Sequence, residues 1–181
     1  MKNILLTTLL LLSFISCDNK KNSEKTVSEK MESNQPEKNN SFESLVNNYL
    51  SMKDALTEGD ANKTADFGKK MFANSKVLLN DPQNKNGDVS DILSDIEENA
   101  EHISESADKI HHQREHFSIL TKDFEDLVAL KPYAKTLYKD FCPMYNDNKG
   151  AYWLSDQKEI NNPYDPTMKN CGEVKQVISA K

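Results

Sequence analysis

Glycine is scarce in this chain. Five glycines in 181 residues, no two of them close together, leave no Gly-rich phosphate loop and no dinucleotide-binding fingerprint. A surplus of basic charge is missing as well. The chain has 23 Lys and Arg against 29 Asp and Glu, a formal balance of −6 at pH 7. No basic stripe is available to neutralise phosphates, so nucleic acid is not an expected partner. Long hydrophobic runs are confined to Ile4–Ile15, which is shorter than the ~20 residues that span a bilayer and about the length of a signal-peptide core. With three cysteines, four histidines and one tryptophan in the chain, any sulfur or imidazole chemistry must fall on few positions.

The opening MKNILLTTLLLLSFIS runs directly into Cys17. A small residue, Ser16, before a cysteine resembles a bacterial lipobox, so residues 1–17 are expected to be a lipoprotein signal peptide with Cys17 as the lipidated mature N-terminus. The chain would then be anchored to a membrane by lipid, in the cell envelope, facing the periplasm or the outer surface. In that compartment a disulfide persists. From Asp18 to Ser41 only Val27 and Met31 are apolar. Such a segment cannot bury enough surface to offset the entropy of ordering and reads as a disordered tether. Residues 42–181 are enough for one domain.

Within that domain, Phe42, Leu45, Val46, Tyr49 and Leu56 recur at helical spacing, and Gly59 can close the helix in a left-handed cap. Asp60 offers an N-cap oxygen to a second helix bearing Ala65, Met71, Phe72 and Leu78. Val89 to Ile103 and Ile110 to Val128 carry two more stripes, the last ending at Lys131 and Pro132. Four helices with short connections predict a mainly α fold, an antiparallel up-and-down four-helix bundle. After Pro132 the pattern changes. LYKDFCPM and AYWL flank the turn formers YNDNKG, which predicts a small C-terminal β-hairpin and loop module with a further short strand through Val174 and Val177.

The module concentrates sulfur. Cys142 and Met144 are separated by Pro143, and in an extended segment residues i and i+2 project from one face. Met168 and Cys171 form a second pair that one turn closes. Two thiolates and two thioethers are soft donors that select Cu(I) or Ag(I) over zinc, calcium or magnesium. Alternatively, Cys142 and Cys171 form a structural disulfide closing a loop of about thirty residues, worth roughly 3–4 kcal/mol. Met144 and Met168 would then be gap-fillers near Trp153.

His116, one residue before the apolar Phe117, sits at the edge of the fourth stripe, within reach of the hairpin if that module packs on this helix. His112 lies one turn earlier, so an i, i+4 pair is available to a divalent ion such as zinc or Cu(II). His111 and His102 are expected to project away from their stripes into solvent. Nothing in the spacing singles out a nucleophile paired with a base, so no catalytic residue is expected and the chain does not read as an enzyme.

REHF (114–117), FCPMYNDNKGAYWLS, NPYDPTMKNCGEV and YLSMKDAL (49–56) together resemble a bacterial envelope family, domain of unknown function 3347, over Phe42 to about Val177. Members of that family are lipoproteins or exported proteins, and a similar domain is attached to periplasmic adaptor subunits of copper and silver efflux pumps. The CPM element also resembles the short heavy-metal-binding segment of those adaptors, although Tyr145 and Asn146 stand where histidine and proline follow there. Met168 likewise takes the place of the earlier cysteine of a Cys-x-x-Cys-Gly pattern. The resemblance implies Cys142, Met144, Met168 and Cys171 as ligands of copper or silver, His116 as a fifth, and an efflux or metalloenzyme partner. The alternative reading is a non-catalytic envelope interaction module.

Overall fold

The computed structural model describes residues 37–85, 87–131 and 133–180. Cys17, the expected signal peptide and most of the expected tether lie outside the described residues. The first helix, α1 (Glu37–Glu58), begins five residues inside the segment read as tether. It is followed by α2 (Ala61–Leu79), α3 (Asp88–Glu105) and α4 (Ile110–Leu130). Beyond them a three-stranded antiparallel sheet is built from β1 (Leu137–Cys142), β2 (Ala151–Ser155) and β3 (Glu173–Ile178) in the order β2-β1-β3. The single turn α5 (Tyr145–Asn148) joins β1 to β2. The chain is mainly helical, with a small sheet at its C-terminal end.

The helix boundaries follow from local chemistry. Gly59 takes φ 76 and closes α1, with the Asp60 N–H donating to the Ala55 carbonyl at 3.0 Å. Asp60 then caps α2 by accepting from the Lys63 N–H at 2.9 Å. With only Gly59 and Asp60 between them, α1 and α2 pack side by side, and α3 lies against both α2 and α4. Their apolar faces meet in one core that includes Leu45, Met52, Met71, Ile96, Phe117 and Phe124. Apolar burial of this kind, at roughly 25 cal/mol per Å², is the main favourable term.

Tyr49 joins this core to the sheet. Its ring stacks on Phe124 at 4.2 Å and on Phe117 at 5.2 Å. Its hydroxyl pairs with Thr121 Oγ1 at 2.9 Å and accepts the Leu154 N–H at 3.0 Å. One buried side chain from α1 thereby ties α4 and β2 together, and the sheet packs on α1 and α4 through β2.

The turn between β1 and β2 spans residues 143–150 and contains the expected turn formers YNDNKG. Asn146, Asp147 and Asn148 all adopt left-handed backbone angles, with φ of 52, 54 and 64. Asn and Asp tolerate this region better than other non-glycine residues because their short polar side chains bond locally. The composition YNDN therefore permits a left-handed turn that the same length of Lys, Glu or Val would resist.

Candidate metal centre

Cys142 is the last residue of β1, fully buried opposite Ala151 of β2. Cys171 arrives from the other end of the module, half-buried just ahead of β3. Gly172 makes this approach feasible: its φ is 147, and a Cβ there would lie 2.8 Å from Trp153 Cη2 and 3.1 Å from the Phe141 carbonyl oxygen. The two Sγ atoms stand 2.8 Å apart. The expected alternative of a structural disulfide is not found, because both residues are free thiols.

Asn162 holds this arrangement. It is fully buried, donates from Nδ2 to the Met168 carbonyl at 3.1 Å, and approaches Cys142 Sγ at 3.6 Å. Its own N–H donates to the Lys169 carbonyl at 2.8 Å, and the Cys171 N–H donates to the Met168 carbonyl at 2.9 Å. The Met144 and Met168 backbones therefore border the thiols. Met144 itself is 54 % exposed and is not the core gap-filler it would be beside a disulfide; Met168 is half-buried. The Cys171 thiol is pushed up first by its hydrogen bond with Cys142 and then by burial, while the Met144 N–H draws it back. Both raising effects favour the protonated form of Cys171, and a bound ion has to displace that proton.

The thiols fit a soft ion after one adjustment. With metal–sulfur bonds of ~2.3 Å, sulfurs 2.8 Å apart subtend only about 75° at the metal. A tetrahedral or linear arrangement needs them further apart, and Cys171 is the less buried partner.

A second cluster lies on the α3–α4 face. His102, in the last turn of α3, and His112 and His116, on α4, bring one ring nitrogen each to within 4.8 Å of one another. His102 stacks on His116 at 4.5 Å, and His112 meets His116 edge-on at 4.5 Å. His116 Nδ1 is bonded to Asn99 Oδ1 at 3.0 Å, and His112 Nδ1 lies 3.5 Å from Glu115 Oε2. Burial, and then the charges of His102 and His112, hold His116 below its usual range. His102, expected to project away from its stripe, is exposed yet belongs to this group. His116, carried as a fifth ligand of the sulfur site, keeps company with imidazoles. The signal was present in the sequence: folding an antiparallel helix pair about a turn at residues 107 and 108 sets 99 opposite 116 and 102 opposite 112 and 113.

Residues 45–135 match the family described as "Protein of unknown function (DUF3347)". The chain belongs to this family. The matched segment holds most of α1 and all of α2, α3 and α4, and ends two residues before β1. In this DUF3347 member the three histidines therefore lie inside the family match and both cysteines outside it. No curated protein and no solved structure matches the chain.

Within the DUF3347 segment, the REHF motif divides its labour. Arg114 is 3 % exposed and donates from Nε to the Pro163 carbonyl at 2.9 Å and from Nη2 to the Leu56 carbonyl at 3.0 Å. It ties the C-terminal end of α1 and the loop ahead of Cys171 to α4. Phe117 is core, and His116 joins the imidazoles.

A buried polar group that the sequence did not reveal lies beside the sulfur site. Asp140, two residues before Cys142, faces Trp153 across the β1–β2 ladder, and both its carboxylate oxygens are buried without a hydrogen-bond partner. Burial raises its carboxyl to about 7, with the Lys53 charge and then the Trp153 indole drawing it back. Lys53 is fully buried, its Nζ 2.5 Å from Asp54 Oδ1 but at an angle that forms no hydrogen bond.

Proposed function

We propose that this is a lipid-anchored protein of the bacterial cell envelope that binds a monovalent soft ion, Cu(I) or Ag(I), through Cys142 and Cys171. The Met144 and Met168 backbones border the thiols, and their thioethers would be the further soft donors. One observation carries the reading: two free cysteines, 29 residues apart in sequence, meet sulfur to sulfur at 2.8 Å. A free thiol pair, one member fully buried and the other half-buried, suits capture of a thiophilic ion. The helices act as the scaffold, read as an up-and-down four-helix bundle, and Arg114 and Tyr49 fix the sheet module on it. No reaction is proposed; the ion is sequestered or handed to an efflux or metalloenzyme partner.

The test is native mass spectrometry of the full chain with Cu(I) under reducing conditions. One copper is expected to be retained by the parent and lost from the Cys142→Ser/Cys171→Ser double variant. A parent that retains no copper at micromolar free ion, or a double variant that retains it equally, would overturn the reading.

A further inference from the structure

Three imidazoles on two helices, borderline donors harder than a thiol pair, need their own account. An ion held by nitrogen at ~2.0–2.1 Å in a tetrahedral site needs ligating nitrogens about 3.3–3.4 Å apart. The nitrogens of His102, His112 and His116 already lie within 4.8 Å of one another, a gap that small rotations of exposed and half-buried rings close. We infer that His102, His112 and His116 form a second metal site, for a divalent ion of borderline softness such as zinc or Cu(II).

Two further features flank the donors. The Asn99 amide oxygen takes the Nδ1–H of His116 at 3.0 Å, which fixes the ring and leaves Nε2 with its lone pair. Glu115 Oε2 lies 3.5 Å from Nδ1 of His112, a charge contact rather than a hydrogen bond. An oxygen acceptor behind the ring is how protein imidazoles are held when they ligate metals, and His116 has one. Electrostatics act in the same direction. His102 lies in the last turn of α3, where the unsatisfied carbonyl ends of the helix favour a cation. Three protein nitrogens leave a fourth coordination position for water or a ligand from outside, the arrangement of an open site rather than a closed structural one.

The site uses neither cysteine, so it stands or falls separately from the sulfur site. Untagged full-length chain is titrated with Co(II), followed by its visible absorption, and binding is competed with Zn(II). The expected result is one Co(II) per chain with ligand-field bands, no sulfur-to-cobalt charge transfer, and displacement by zinc. His102→Ala, which alters an exposed side chain, and His116→Ala are each expected to weaken binding at least tenfold. His111→Ala, exposed on the same helix, and the Cys142→Ser/Cys171→Ser variant should leave it unchanged. Measured in the Cys142→Ser/Cys171→Ser background, binding that survives both His102→Ala and His116→Ala, or no Co(II) bound at all, would overturn the inference. Thermal unfolding of His102→Ala at the parent midpoint without metal shows that any loss is not a loss of fold.

Discussion

Asp140→Asn keeps the size of the side chain while removing a charge that has nowhere to go. In the parent, burial holds the carboxyl at about 7 against an ordinary 3.8. The folded state therefore binds a proton that the unfolded chain releases. Between about pH 4 and pH 7 the folded form holds more protons than the unfolded one, and stability falls as pH rises through that window. A shift of about three pH units corresponds to a ceiling on the order of 4 kcal/mol. The amide has no such titration. The difference in unfolding free energy between variant and parent is thus expected to move in the variant's favour by roughly 2–4 kcal/mol between pH 4 and pH 8. His116, lowered, and Asp123, raised to about 6, titrate in both proteins and cancel in the difference. Urea unfolding at each pH can be followed by the fluorescence of Trp153, the single tryptophan, fully buried across the ladder from Asp140. A difference that stays flat with pH, or moves in the parent's favour as pH rises, would refute the reasoning.

Two further substitutions test the scaffold. Tyr49→Phe keeps the stacked ring but leaves the Leu154 N–H and the Thr121 hydroxyl without their buried partner; a loss of about 1–3 kcal/mol is expected in denaturant unfolding. Gly68→Ala gains up to about 1 kcal/mol in helix propensity. Its new Cβ, however, would lie 2.9 Å from Ser104 N and 3.0 Å from the Ala100 carbonyl oxygen, both backbone atoms of α3. Overpacking of this sort costs about 1–3 kcal/mol, so a net drop in thermal midpoint is expected, and a rise would show that the α2–α3 approach is looser than described.

The helices were legible from local punctuation between the first two and from their apolar period. Gly59 and Asp60 stop one helix and start the next through bonds made within six residues, and the apolar stripes from Leu45 to Val128 keep a 3.6-residue period over several turns. The hairpin and the last strand were legible for a similar reason, a change of period bounded by turn residues. The meeting of Cys142 with Cys171 was also anticipated, whereas their state was not, since spacing says that two sulfurs converge and not whether they bond. What escaped the sequence depends on contacts between distant segments. The role of Arg114 was not legible, because the Leu56 and Pro163 carbonyls it serves lie on distant segments. Lys53 and Asp140 became buried because Tyr49 draws β2 onto α1 and α4. His102 was assigned by its position on its own helix, and its partners lie on the next one.

Copper K-edge X-ray absorption on the full chain loaded with one Cu(I) tests the sulfur site most directly. A first shell made only of sulfur, losing its short copper–sulfur distances in the Cys171→Ser variant, is the predicted result. A shell of nitrogen and oxygen, or one unchanged by that substitution, would contradict the assignment of the ion to the Cys142–Cys171 pair.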